Sequence, residues 1–145
     1  MYTVKGLPRF LEAQNQNYLK ALAEIRSGEK ASHWMWYVFP QLKGLGKSDM
    51  AAFYGIENLQ EAEDYLAHPV LGKHLVEISQ ALLHIEGKSA NAILGSPDDL
   101  KLQSSMTLFG AASDSNPVFQ EVLDRYFGGQ PDSRTLSMLG KTARS

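Results

Sequence analysis

The segment 70–85 places its apolar residues three, four and seven positions apart, which is the spacing of residues on one face of an α-helix. These apolar positions are Val70, Leu71, Leu75, Ile78, Leu82 and Ile85. A helix with a continuous apolar face must bury that face against other elements, so the segment predicts the central helix of a packed domain. If Leu75 and Ile78 are core residues, truncation of either to alanine is expected to lower stability by about 2–5 kcal/mol.

Glycine and proline divide the rest of the chain into similar helical segments. Pro8 suits a first helical turn and Gly28 suits the position after a last turn, which predicts a helix over residues 8–27. Other helix starts are expected near Ser32, Ser48, Asn58, Ser89, Ser96, Asn116 and Asp132 or Ser133. Because no pair of alternating strands is recognisable, the sequence predicts an all-α fold: one compact helical domain over residues 1–145, with seven or eight helices, short loops and a frayed tail at 141–145.

The aromatic-rich segment 32–40 is open to two interpretations. It fits a short helix that Ser32 caps and Pro40 ends, and it also fits a buried strand. On a helix, Trp34 and Trp36 point about 200° apart, so that one packs inward while the other lines a cleft. On a strand they share a face, and in either case both indoles can belong to the core.

Composition narrows the classes of function. The chain of 145 residues is 43% hydrophobic and 21% charged, which is enough for one core. It contains no cysteine, which excludes disulfides, thiolate nucleophiles and cysteine zinc sites. A net charge of −2 without a stripe of Lys and Arg argues against nucleic-acid binding. With no secretory signal and no run of about 18 apolar residues, the sequence predicts a cytoplasmic protein without membrane contacts, and nothing in it requires a cofactor.

The most distinctive stretch of the chain is SHWMWYVFPQ at 32–41, followed by KGLG at 43–46. Two further stretches are YLAHPVLG at 65–72 and DDLKLQSSMTLF at 98–109, and Asp132 precedes Thr135-Leu136 near the end. In these features, and over nearly its whole length, the chain resembles the family catalogued as domain of unknown function 1810, sometimes labelled calpastatin-like. The resemblance implies a small helical domain and supplies no activity, substrate or cofactor. The calpastatin label finds no support, because inhibitors of that type are long, disordered and repetitive.

A glycine-containing turn, Lys43-Gly44-Leu45-Gly46-Lys47, leads into the predicted helix at Ser48. The end of this turn matches the end of the P-loop pattern, but Gln41 stands where the first glycine of that pattern belongs. The turn still offers backbone N–H groups and two lysines to an anion, and its alternative role is a tight turn with solvated lysines. Gln41 can likewise offer its amide to a ligand or cap the turn.

The predicted helix at 98–109 carries polar residues among apolar ones on nearly all sides: Lys101, Ser104, Ser105 and Thr107. Small polar residues inside a helix favour either close helix packing or a polar patch that lines a pocket. A third alternative is a Ser–Lys nucleophile pair at the spacing of Lys101 and Ser105. Because buried polar atoms need partners, we expect at least one of Lys101, Ser104 and Ser105 to contact the segment 34–46 beside a concave pocket.

The titratable residues do not form a metal or acid–base motif. His33, His68, His74 and His84 lack metal-ligand spacing, so no metal site is predicted. Asp98 and Asp99 suit the first turn of a helix, where carboxylates complement the helix dipole, and His68 suits a helix start.

These observations lead to the hypothesis of a small-ligand-binding domain, with catalysis left open. The pocket is expected between the Trp34–Gly46 segment and the Lys101–Thr107 helix, and its ligand is expected to be phosphate-bearing or nucleotide-like. The candidate ligand-binding residues are Trp34, Trp36, Gln41, Lys43, Gly44, Gly46, Lys101, Ser104 and Ser105. The alternative is a protein-interaction module that uses an exposed aromatic patch.

Overall fold

The computed structural model describes residues 6–113 and 115–140. Within this part of the chain there are nine α-helices and no β-strand, which confirms the all-α prediction and exceeds the expected seven or eight helices. The predicted fraying of 141–145 lies outside the described residues. The helices are α1 (Pro8–Ser27), α2 (Met35–Val38), α3 (Asp49–Tyr54), α4 (Leu59–Ala67), α5 (Leu71–Leu83), α6 (Ala90–Leu94), α7 (Asp98–Gly110), α8 (Val118–Phe127) and α9 (Ser133–Met138).

Helix α5 shares the centre of the packing with α7, which contacts α4, α6, α8 and α9. Helix α5 contacts α1, α4 and α8, and it buries Leu71, Leu75, Ile78 and Leu82. A glycine near its start is required by close packing, because a Cβ atom at Gly72 would lie 2.1 Å from the carbonyl oxygen of Leu66. The helix ends at Leu83, two residues earlier than the apolar pattern indicates.

Replacement of Leu75 by alanine is expected to lower the free energy of unfolding by about 2–5 kcal/mol, because the side chain is 1% exposed and a cavity remains. The matched control is Leu19→Ala, since Leu19 is 79% exposed on α1 and its replacement should change stability by less than about 0.5 kcal/mol. Urea denaturation of both variants measures the difference. Similar losses in the two would mean that the apolar face of α5 is not in the core.

Several helix starts are fixed by side-chain caps that the sequence predicts. Backbone N–H groups donate to the side chains of Ser48, Asn58, Ser89 and Asp132 at distances of 2.9–3.1 Å. His68 acts in the same way before α5, where its Nδ1 accepts from the N–H groups of Val70 and Leu71. Local sequence therefore determines where these helices begin.

Two predicted caps are wrong. Helix α7 begins after Pro97 with no side-chain cap, so Ser96 has no capping role. Within the segment 32–40 the helix covers Met35–Val38, so α2 begins after Trp34. Ser32 instead donates from its Oγ to Oε2 of Glu24 at 2.6 Å. The hydroxyl of Ser32, which the sequence predicts as a helix cap, therefore bonds to Glu24 on α1.

A polar network joins α1 to α4 and α5. Gln14, which is 3% exposed, donates from Nε2 to the carbonyl oxygen of Tyr37 at 2.7 Å and to the hydroxyl of Tyr65 at 2.8 Å. Its Oε1 lies 2.8 Å from Nδ1 of His74, and the imidazole stacks on Tyr18 with ring centroids 3.7 Å apart. Since Oε1 is an acceptor, Nδ1 of His74 carries the proton.

Stability is expected to fall on acidification from pH 7.5 to 5.5 because of His74. Burial lowers the pKa of His74, an effect that Glu77 opposes and Lys73 reinforces. A group whose pKa is lower in the folded state stabilises the fold above its unfolded pKa of about 6.5, and this contribution is lost as the pH falls toward the folded pKa. The urea midpoint should drop less in His74→Asn, which keeps a donor for Gln14. An equal drop in both proteins would assign the pH dependence to other groups.

Candidate functional site

The glycine turn belongs to a loop whose two ends are joined by a parallel β-bridge between Leu42 and Ile56. The N–H of Lys43 donates to the carbonyl oxygen of Ile56 at 2.9 Å, and the N–H of Ile56 donates to that of Gln41 at 2.8 Å. Gly55 is required at the closure, since a Cβ atom there would lie 2.6 Å from Cα of Lys43. The bridge therefore fixes the turn beside α2.

Two neighbouring cavities lie between this loop and α7, and both are lined by Gln41, Gly46 and Lys101. The first is a cleft of about 10 Å³ with Trp36 in its wall, which has room for about one water molecule. The second, which we call the Lys101 groove, has a volume of about 380 Å³. Its lining residues are Gln41, Leu45, Gly46, Pro97, Leu100, Lys101, Ser104, Asp132 and Arg134. The groove has the size of a small-molecule site.

The two tryptophans have separate environments, as the helical interpretation of the segment predicts. Trp34 is 1% exposed, and its Nε1 donates to Oε1 of Glu24 at 2.8 Å. Burial raises the pKa of Glu24, but hydrogen bonds from Ser32, Ala31 and Trp34 outweigh it and lower this pKa to about 2. Trp36 is half-buried, with Nζ of Lys101 5.1 Å from its ring centroid. Trp34 is therefore a core residue, and Trp36 is the tryptophan at the cavities.

The polar residues of α7 have three different environments. Ser104 lines the Lys101 groove and donates from Oγ to the carbonyl oxygen of Leu100 at 3.2 Å. Thr107 donates to the carbonyl oxygen of Gln103 and accepts from the N–H of Asp132, each at 2.8 Å. Ser105 is fully buried, and its Oγ forms no hydrogen bond within the described part of the chain. With no bond to Lys101, the two do not form a nucleophile pair here.

The glycine turn contributes less to the groove than its composition suggests. Nζ of Lys43 lies 3.3 Å from Oε2 of Glu57, and both side chains are about half exposed. Gly44 has a φ of 103°, and it packs so near Met138 that a Cβ atom would lie 3.2 Å from the Cε of that residue. Neither Lys43 nor Gly44 lines a cavity beside α7, whereas Gly46 lines both. The turn acts mainly as a tight connection that places Gly46.

Two groove residues, Asp132 and Arg134, are missing from the sequence-based site. Asp132 appears in the sequence only as a helix cap, and its Oδ2 does accept from the N–H of Thr135. The side chain of Arg134 is exposed and forms no ion pair or hydrogen bond with any described residue. The hydrogen bond between Thr107 and the backbone of Asp132 places residues 132–134 at the groove. Because this contact joins distant parts of the chain, no pattern in the local sequence predicts it.

A larger groove, of about 650 Å³, lies between the end of α1 and the end of α5. Its charged residues have both signs, and Glu77 and Lys88 already bond to the Tyr18 hydroxyl and the Gly28 carbonyl oxygen. It therefore presents no concentration of one charge to a ligand. Among residues 6–113 and 115–140, no group of His, Asp and Glu side chains is arranged to hold a metal ion, and no helix is long and apolar enough to span a bilayer.

Comparison with known proteins identifies a family and a similar structure, and neither description names an activity. The model of a family described as "Protein of unknown function (DUF1810)" matches residues 4–139. The chain is also similar to the conserved hypothetical protein Rv1873 from Mycobacterium tuberculosis, whose crystal structure was determined at 1.38 Å. The two sequences are 48% identical, the match covers 94% of this chain and 97% of that one, and the TM-score is 0.91. No curated protein matches.

Proposed function

This chain belongs to the DUF1810 family of proteins of unknown function, and from the geometry of its site we propose that it binds a small phosphate-bearing ligand, such as a nucleotide, in the Lys101 groove. The groove lies between the Trp34–Gly46 segment and α7, and its volume of about 380 Å³ suits one small molecule. The proposal is one of binding, and it assigns no reaction.

The observation that carries the proposal is that two cations, Lys101 and Arg134, line the same groove, while Asp132, the one carboxylate among the lining residues, already accepts hydrogen bonds from Thr135. The nearest carboxylate oxygen to Nζ of Lys101 is that of Asp98, at the long distance of 3.5 Å. Arg134 has no ion pair within the described residues. A phosphate group offers several acceptor oxygens to such donors, and hydrogen bonds between ionised groups are the strong ones.

The other lining residues suit the remainder of such a ligand. The side-chain amide of Gln41 supplies a donor and an acceptor at the border with the Trp36 cleft. Leu45 and the 58% exposed Leu100 provide apolar surface on which a base or sugar can lie. Trp36 contributes through Lys101, whose ammonium lies over its ring, because the cleft beside the indole is too small for a base.

Phosphate binding is expected to weaken in Lys101→Met and in Arg134→Ala, each by about tenfold, because each removes a charge-assisted hydrogen-bond donor. Inorganic phosphate is titrated at constant ionic strength while the NMR signals of the Gln41 side-chain amide and the Gly46 N–H are followed. The control is the double variant Lys43→Ala with Lys47→Ala, two exposed lysines outside the groove, which should bind phosphate as the unmodified protein does. Equal affinity in all four proteins would refute the proposal.

The alternative function, a protein-interaction module, is favoured by one observation on α3. Met50 and Phe53 are 40% and 38% exposed, and α3 buries none of its residues. The tryptophan segment adds little to such a patch, because Trp34, Tyr37 and Phe39 are buried. This alternative predicts no saturable phosphate binding at Gln41 and Gly46, so the same titration separates the two functions.

A further inference from the structure

Two lysines share the carboxylate of Asp98, and they share it unequally. Nζ of Lys30 lies 2.9 Å from Oδ2 of Asp98, whereas Nζ of Lys101 lies 3.5 Å from Oδ1. The side chain of Lys30 is 8% exposed, that of Asp98 18% and that of Lys101 23%. The shorter and more buried pair is the stronger one, because solvent screens it least.

Each of the two lysines also lies over one tryptophan of the segment 34–36. Nζ of Lys30 is 5.2 Å from the ring centroid of Trp34, and Nζ of Lys101 is 5.1 Å from that of Trp36. The backbone of Lys30 is fixed as well, since its N–H donates to the carbonyl oxygen of Ile93 at 2.7 Å. Lys30 is thus held on three sides, and it does not line the Lys101 groove.

The single negative charge of Asp98 balances the positive charge of one lysine, and the shorter ion pair is the one with Lys30. We propose that Lys30 is a positioning residue for the ligand site: by engaging Asp98, it leaves the charge of Lys101 free for the anionic group of a ligand. Asp98 competes with the anionic group of the ligand for Lys101, and the ion pair between Lys30 and Asp98 weakens this competition. The inference rests on the proposed function, because it concerns the phosphate affinity of Lys101.

Removal of Lys30 should therefore weaken phosphate binding even though Lys30 lies outside the groove. In Lys30→Met the carboxylate of Asp98 has only Lys101 as a partner, and the affinity for inorganic phosphate should fall by about tenfold. In Asp98→Asn the competing charge is absent, and phosphate should bind about two- to threefold more tightly. The double variant should bind at least as tightly as the unmodified protein, which is a rescue of the first loss by the second change.

The experiment is the phosphate titration by NMR, performed at constant ionic strength and well below the melting temperature of each variant. The control is Lys20→Met, since Lys20 is an exposed lysine on α1 outside the groove and should leave the affinity unchanged. A double variant as weak as Lys30→Met, or weaker binding in Asp98→Asn, would show that these residues only support the fold and would overturn the inference. Lys101→Met keeps the two proposals apart: if it binds phosphate normally, the proposed function itself fails, whereas reduced binding there with normal binding in Lys30→Met refutes only the role of Lys30.

Discussion

Replacement of Trp34 by alanine is expected to lower the free energy of unfolding by about 3–5 kcal/mol, while the same replacement of Trp36 should lower it by less than half as much. The reason is burial: Trp34 is 1% exposed in the core, whereas Trp36 stands half-buried at the edge of the cavities. Loss of Trp34 also removes a hydrogen-bond donor from Glu24, whose carboxylate organises the start of α2. Urea denaturation with a constant m-value measures both losses.

The ligand site should respond to the two tryptophans in the opposite order. Trp36→Ala removes the ring beneath the ammonium of Lys101, so its phosphate affinity should fall by several-fold while the fold persists. Trp34→Phe, which keeps an aromatic ring in the core, serves as the milder control for Trp34→Ala. Equal losses of stability in Trp34→Ala and Trp36→Ala would contradict the assignment of Trp34 to the core and of Trp36 to the ligand site.

The fold could be predicted from the sequence to the extent that helices are encoded locally. The apolar spacing of 70–85, the proline at the start of α1 and the glycine after its end are short-range signals, and the corresponding helices are where these signals indicate. One predicted cap, Ser32, failed because a tertiary contact competed for its hydroxyl. Ser32 bonds to the Glu24 carboxylate of α1 instead of capping α2.

The candidate site could be predicted only in part, for the same physical reason. An unusual density of polar residues on an otherwise apolar helix indicates Lys101, and a helical tryptophan pair with one outward member indicates Trp36. Arg134 reaches the groove through the bond between Thr107 and the backbone of Asp132, which depends on how α9 packs on α7. The shared carboxylate of Asp98 likewise depends on the path of the α1–α2 loop. Which charged residues become partners depends on how the chain folds, and the spacing of residues along the sequence does not predict it.

Arg9 is the clearest case of a residue whose role only the structure reveals. In the sequence it is an arginine in the first turn of a helix, where an exposed position is the ordinary expectation. In the structure its side chain is 5% exposed, and Nη2 lies 3.2 Å from Oε1 of Glu61. It also donates to the carbonyl oxygens of Phe53 at 2.7 Å and Gly55 at 2.8 Å, at the end of α3. Arg9 thus joins α1 to α4 and to the loop that carries the glycine turn.

Replacement of Arg9 by methionine should lower the free energy of unfolding by about 3–5 kcal/mol, because it removes the ionic partner of Glu61 and a hydrogen-bond donor from the carbonyl oxygens of Phe53 and Gly55. Arg26→Met is the matched control, since Arg26 is exposed near the other end of the same helix and should lose less than about 0.5 kcal/mol. The double variant Arg9→Met with Glu61→Met should regain part of the loss, because no uncompensated carboxylate then remains. If Arg9→Met is no less stable than Arg26→Met, the attachment of the loop to α1 contributes nothing measurable, and the position of the glycine turn must be held by the bridge between Leu42 and Ile56 alone.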